Sequence, residues 1–568
     1  MPPCRPDVRI FMDSAGEEGK IIKPFKNPRA ILKKPYIYWS LVLLSMLMKY
    51  LYYGFKYFPV VDDNNMYGTY SLMSPLEALL RYKMYTARPF AALLDTYVIA
   101  RFWGNLEIIL VLMILLHFVS ALLIYKVFEK NDMKIGILPV LFFVLNPLGT
   151  DATYWIAASS RVVAGLFFAS LSFYLITLLC GLKQGSRRKA VLIGAGYLLT
   201  SLLSYGFYEQ VTAFSFVFSV VLIVVNLRKS PRLLMLGITF ANIISFALYF
   251  YHFRDVGTVS DRGQLVHGDL ILHTLRVTGK YLYLLSIEFL SMLKNGIATG
   301  FSILLQDRSW FYLAALMLVS VAAAVIYANE NLQEDGKRVV KKLLAGLALV
   351  VVSYAPFYVL DVIWIANRNT LLSYIGLGLI LETLIGLVFR APGRWSGYAK
   401  GFLFGMAVFA LMLVNIAEVH DYKNVNAIDK EIVNNLAGQL AGADNKTDRV
   451  YVFNTKSLYF DTTGKHLSNC SGVDWAFTGA AHAITRNRVD FGIVIPVKHN
   501  TKTAVDMEAL KKSLLFGLFE DRRACRLSVA EEPGQGAFAL LQENGEKFGD
   551  LAAGDDGTVI FTRSDPGK

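Results

Sequence analysis

Apolar stretches of about 20 residues recur from one end of this chain to residue 417, and a chain written that way has to house its helices in lipid. Of its 568 residues 55% are hydrophobic and only 18% are charged, which excludes a soluble enzyme carrying a single anchor. About eleven stretches meet the length criterion. They lie near residues 37–57, 106–125, 135–147, 161–182, 189–207, 209–227, 232–251, 310–328, 343–360, 370–389 and 400–417. The third is short, and the fifth and sixth nearly fuse across Tyr208-Glu209.

The net charge of +13 sits mostly in short loops, so it fits anionic headgroups rather than nucleic acid. Basic clusters mark every second loop: Lys126, Lys130 and Lys134; Arg187, Arg188 and Lys189; Arg228, Lys229 and Arg232; Lys337, Arg338, Lys341 and Lys342; Arg390, Arg394 and Lys400. A further basic run, Lys20 to Lys34, precedes the first stretch. This alternation predicts a cytoplasmic N-terminus and an extracytoplasmic C-terminus in a multi-pass plasma-membrane protein. Met1 to Gly19 is polar and lacks the apolar region of a cleavable signal.

Three domains follow: a basic cytoplasmic segment, 1–36; an all-α membrane domain, 37–418; and a soluble extracytoplasmic α/β domain, 419–568. Two outer segments exceed ordinary connectors. Residues 58–105 contain amphipathic stretches with Glu77, Arg81, Arg88, Asp95 and Arg101, and residues 254–309 contain the apolar stretch Leu270 to Leu305, an interfacial or re-entrant helix or an added pair of spans. In the soluble domain Asn424 to Leu440 has helical spacing. Arg449–Phe453, Phe491–Val497, Ala537–Leu541 and Thr558–Thr562 read as strands. Cys470 and Cys525 are the two cysteines of this domain, and a disulfide between them is one option.

Side by side after the first stretch stand Asp62 and Asp63, in Asp-Asp-Asn-Asn. As an isolated string this is a solvated turn. Further outer-loop strings change its meaning. Ala87-Arg88-Pro89-Phe90, then Phe102-Trp103-Gly104-Asn105 and a helix running toward His117, resemble the first luminal loop and second helix of polytopic GT-C glycosyltransferases. Asn146-Pro147-Leu148-Gly149-Thr150-Asp151-Ala152-Thr153-Tyr154-Trp155-Ile156-Ala157, followed by Arg161, is similar to the membrane part of tetratricopeptide-linked protein O-mannosyltransferases and related bacterial enzymes. So are Tyr208-Glu209-Gln210 and Asn367-Arg368-Asn369. The resemblance spans roughly residues 37–417. It departs at Tyr208, where those families often carry Lys, and at Asn367, where they often carry Glu; no tetratricopeptide repeat follows.

That resemblance implies transfer of a sugar from a polyprenyl-phosphate carrier to an acceptor hydroxyl on a glycan, lipid or protein, with inversion. One of Asp62 and Asp63 then serves as general base with the other in support, since a carboxylate beside the acceptor can take its proton. The alternative role for the pair is to hold a divalent metal ion at the leaving phosphate, for which two carboxylates are too few ligands to name the metal. Arg88, Arg161 and Arg368 are candidates to bind the donor phosphate, each weighed against a role as a snorkelling helix anchor. Asp151, Trp155 and Glu209 are candidates to contact sugar or acceptor, and His117 has no assigned role.

Two other functions compete. A polysaccharide polymerase or ligase would use a lipid pyrophosphate donor, whereas a glycan flippase would show paired halves and broken helices, which are not apparent here. No glycine-rich phosphate loop follows a strand, which argues against a nucleotide-sugar donor.

Overall fold

The computed structural model describes residues 35–182, 187–227, 232–256, 265–330, 335–361, 365–389, 394–440, 447–456, 459–460, 467–486, 491–505, 507–532, 537–554 and 557–564. The basic segment before residue 35, Arg228, Lys229 and Arg390 lie outside the described residues.

Seven helices among the described residues are long and apolar enough to cross a membrane: Ile99–Lys130, Ile156–Cys180, Glu209–Asn226, Leu234–Tyr251, Trp310–Ala328, Asn367–Val388 and Trp395–Gln439. The helices that matter for the site are α1 (Pro35–Tyr50), α2 (Pro75–Tyr82), α3 (Pro89–Tyr97), α4 (Leu106–Lys130), α5 (Ile137–Leu145), α6 (Ile156–Cys180), α7 (Arg187–Tyr205), α8 (Glu209–Asn226) and α9 (Arg232–Val256). They are followed by α10 (Leu270–Tyr283), α11 (Phe289–Gln306), α12 (Trp310–Ala328), α13 (Gly336–Val352), α14 (Ala355–Val359), α15 (Tyr374–Val388) and α16 (Arg394–Leu440).

Local chemistry sets the ends of these helices. The apolar run that begins α1 extends to residue 57, yet the helix stops at Tyr50, because Gly54 takes a left-handed φ of 74° and Pro59 follows. After α5, Asn146 accepts the Leu148 N–H at 3.1 Å and Pro147 opens a 3-10 turn, so the third stretch is a helix of only 9 residues. Between α7 and α8 the chain breaks at Gly206, whose carbonyl accepts the Phe90 N–H at 3.0 Å. The fifth and sixth stretches are therefore separate helices. The stretch from Leu270 is one helical path: α10 and α11 are joined by a π-helical turn at Leu284–Glu288.

A buried polar cluster marks the end of the bundle away from the soluble domain. Glu382 accepts the Gly136 N–H at 2.6 Å and pairs with Lys342 at 3.2 Å, while Glu330 accepts the Ile137 N–H at 2.9 Å. At the other end α16 does not stop where hydropathy falls. Its 47 residues carry the chain straight into the soluble domain, with Glu418 and Asp421 buried along the way. Good helix formers and unbroken packing explain the continuity.

The soluble domain contains β1 (Thr447–Thr455), β2 (Tyr459–Phe460), β3 (Leu467–Ser468), α17 (Asp474–Thr485), β4 (Phe491–Lys498), β5 (Lys502–Ala504), β6 (Leu514–Leu518), β7 (Ala524–Glu531), β8 (Ala537–Gln542), β9 (Lys547–Ala553) and β10 (Thr558–Arg563). Eight strands form one sheet in the order β4-β1-β6-β7-β8-β9-β10-β5, parallel across β4, β1 and β6 and antiparallel elsewhere. β5 directly follows β4 in the chain although the two lie at opposite ends of the strand order, and an isolated bridge joins His499, just after β4, to Phe561 of β10. The sheet's inner face buries Tyr451, Phe453, Leu540 and Phe561. Its outer face packs Val450, Val452 and Phe516 against α17 and the last turns of α16.

Candidate active site

The N-terminus of α6 organises the site. Trp155 takes the N-cap position, and the first two free N–H groups of the helix meet side chains from the segment after α1. Ile156 N–H donates to Tyr57 Oη at 2.9 Å, and Ala157 N–H donates to Asp63 Oδ1 at 2.9 Å. The other oxygen of Asp63 accepts the Tyr57 hydroxyl at 2.5 Å and the Val60 N–H at 3.2 Å. Asp63 is fully buried, and desolvation pushes its carboxyl up to about 7 against the lowering effect of those donors. It is a packed connection between loop and helix rather than a solvated turn.

Asp62 has a different environment. It is half-buried and makes no hydrogen bond or ion pair with any described residue. The turn that presents it is unusual on both sides: Val61 has a φ of 31°, and a π-helical turn runs over Asn64–Gly68.

A second acid lies beside this turn. Asp95, buried on α3, accepts the Tyr67 hydroxyl at 3.0 Å and faces Arg161 at 3.8 Å. Burial raises its carboxyl, and Arg161 opposes that rise. Arg161 also contacts Met66 Sδ at 3.0 Å, and its Nε is buried without a hydrogen-bond partner among the described residues. Asp95, Tyr57 and Tyr67 were not singled out for the site from the sequence. For Asp95 a signal existed, since it shares the buried face of α3 with Ala91, Ala92 and Thr96.

The N-terminus of α8 gathers the remaining candidates. Glu209 accepts both arms of the Arg88 fork, from Nε at 2.9 Å and from Nη2 at 3.0 Å, and Arg88 also lies 4.9 Å from the Tyr208 ring centre. Asn369 donates to the Tyr208 hydroxyl at 2.9 Å and to Gln210 Oε1 at 3.2 Å, while Gln210 Nε2 donates to the Asn369 carbonyl at 2.6 Å. That amide pairing pins the segment carrying Arg368, whose guanidinium sits 5.4 Å from the Trp155 ring centre. Trp155 Nε1 is buried with no hydrogen-bond partner among the described residues. The structure thus joins Arg88, Glu209, Arg368 and Trp155 through one set of contacts and brings them to the helix that carries Arg161.

Asp151 is placed elsewhere in the same end of the bundle, buried and accepting the Tyr422 hydroxyl of α16 at 2.9 Å. His117 is buried mid-helix against Phe143. Beside Glu209 a cavity of about 280 Å³ opens between α8, α9 and α14, lined by Thr212, Phe216, Phe246, Tyr249, Pro356 and Leu360. Its walls are almost wholly apolar, as a lipid chain requires.

The donor set does not suit a protein-held metal ion. No group of three His, Cys, Asp or Glu side chains gathers among the described residues, and both oxygens of Asp63 are already engaged. The cysteines of the soluble domain are unpaired: Cys470 is buried in the core and Cys525 lies on β7, so no disulfide joins them.

No protein-family model matches the chain, and no curated protein matches it. Among solved structures, the chain is similar to ArnT from Cupriavidus metallidurans bound to undecaprenyl phosphate, at 11% identity and a TM-score of 0.35, over 86% of this chain and 93% of that one. It is also similar to the apo state of ArnT from the same organism, at 11% identity and a TM-score of 0.32, over 85% of this chain and 92% of that one.

Proposed function

We propose that this protein is a membrane glycosyltransferase of the GT-C type, moving a sugar from a polyprenyl-phosphate carrier to an acceptor hydroxyl at the extracytoplasmic face. The observation that carries the reading is a convergence at one end of a membrane bundle. Asp62 lies on the turn whose Met66 touches Arg161, while Arg88 and Arg368 are linked through Tyr208, Asn369 and Trp155, with an apolar cavity beside Glu209.

In this reading Asp62 takes the acceptor proton as the acceptor oxygen attacks the anomeric carbon from the face opposite the phosphate. The bond from that carbon to the phosphate oxygen breaks, its electron pair stays on the phosphate, and the configuration inverts. Arg88 keeps N–H groups that Glu209 does not use, and Arg161 and Arg368 add positive charge for the leaving phosphate. The N-termini of α6 and α8 contribute fixed partial charges of the same sign. The cavity beside Glu209 takes the first isoprenoid units. Asp63 supports the base by fixing its turn and Trp155 flanks the sugar, with no metal-dependent step.

The topology that fits this chemistry has eleven passages: the seven long apolar helices plus α1, α5, α7 and α13. The N-terminus is then cytoplasmic and the soluble domain extracytoplasmic, in accord with the alternating basic loops. Purified protein in nanodiscs, offered a polyprenyl-monophosphate sugar, a pyrophosphate-linked oligosaccharide and a nucleotide sugar, should consume only the first. Turnover of the pyrophosphate donor would make the protein a polymerase or ligase, and turnover of the nucleotide sugar would end the GT-C reading.

A further inference from the structure

The turn that carries Asp62 is held from outside the membrane bundle, by the soluble domain. Four contacts bracket it. Asn426 of α16 donates to the Pro59 carbonyl at 2.6 Å. Val61, the residue with positive φ, packs against the outer-face core of the domain, which contains Ile428, Ile432 and Phe477. Gly479 of α17 lies against Asn65 so closely that a Cβ there would overlap the Asn65 Cα and stand 2.7 Å from its Oδ1. Gly68, the last residue of the π-helical turn, meets Ala483 of α17 in the same way: a Cβ there would overlap the Ala483 Cβ and stand 3.2 Å from the Trp103 ring.

These contacts have a specific consequence. A β-branched residue at positive φ and a π-helical turn are both costly backbone states that persist only where surrounding packing over-determines them. For residues 59–68 that packing comes in large part from α16 and α17. Asp62 sits between the clamped positions and is itself untied.

We propose that Asn426, Gly479 and Ala483 are positioning residues for Asp62, so that the C-terminal domain forms the mould of the catalytic turn. This rests on the glycosyl-transfer reading above. The domain then acts chiefly on the reacting geometry, since Arg88, Arg368 and the cavity lie on other elements and Arg161 alone of the three arginines touches the turn, at Met66.

The test compares full-length wild type, Asn426→Ala and Gly479→Ala in nanodiscs. It measures kcat and donor KM with a polyprenyl-monophosphate sugar, and amide hydrogen exchange over residues 60–68. Both variants should lower kcat on the order of tenfold to a hundredfold, the scale of a small misplacement of a catalytic group, with donor KM within about twofold of wild type. Exchange in the turn should quicken. Asn426→Ala removes one hydrogen bond only, so it decides the matter if Gly479→Ala fails to insert. Faster exchange with unchanged kcat, or a raised donor KM with kcat retained, overturns the proposal. Exchange needs no substrate: a wild type inert toward every donor sinks the glycosyl-transfer reading, whereas unchanged exchange in both variants sinks the clamp.

Discussion

Asp63 Oδ1 accepts the Ala157 N–H at 2.9 Å, and this single bond ties the loop after α1 to the first turn of α6, 94 residues away. It separates the roles of two adjacent carboxylates. Asp63 is a buried connector, while Asp62 is half-buried and free of hydrogen bonds to described residues.

Asp62→Asn should therefore insert and melt like wild type while losing sugar transfer by about a hundredfold or more, the scale for removing a general base. Asp63→Ala strands buried donors from Tyr57, Val60 and Ala157, at about 1–3 kcal/mol for each unsatisfied group. Its melting temperature should fall clearly. Transfer assays paired with thermal unfolding in detergent check both; normal transfer by Asp62→Asn would move the base elsewhere.

The burial of Asp63 also sets a pH dependence. Its carboxyl is raised from an ordinary value near 3.8 to about 7, so the folded state binds a proton that the unfolded state releases between those values. The associated stability is full below pH 4 and is lost as pH rises through 7. Relative to Asp63→Asn, wild type should lose thermal stability between pH 5 and pH 8. A constant difference across that window would show that the hydrogen bonds outweigh desolvation.

For the donor, the Arg88–Glu209 pair predicts an asymmetry. Arg88→Ala leaves Glu209 without that partner at 19% exposure and removes a guanidinium proposed to hold the donor phosphate, so it should damage both stability and donor KM. Arg368→Ala should raise donor KM, and it also removes the guanidinium's contact with the Trp155 ring face. Arg368→Lys should keep part of the affinity, retaining charge but not the planar fork. Titrating the donor lipid against each variant distinguishes these outcomes.

Topology is open to direct measurement. An externally active reporter fused after Leu440 should work, and fusions after Gly185 and Gly336 should not. Residue 440 is the informative place, since α16 runs unbroken to that point and a fusion after Glu418 would cut a helix.

Hydropathy along the chain was enough to expose the long helices α4, α6, α8, α12 and α15, because lipid demands about 20 apolar residues per crossing whatever their neighbours. It also showed where strands begin after the bundle, as the apolar runs now in β1, β4, β8 and β10 attest. Helical spacing marked Asn424–Leu440 but not its unbroken join to the last apolar stretch, since helical backbone continues through buried Glu418 and Asp421 once packing accommodates them. Motif strings named Arg88, Glu209, Trp155 and Arg368, yet the contacts joining Arg88 to Glu209 cross 121 residues of chain, and no local propensity encodes a pairing at that range. Whether a carboxylate meets solvent or backbone N–H groups is likewise a property of the assembled loops. Asp62 and Asp63 are identical in local chemistry, and only the arrival of α6 beside one of them made the two different.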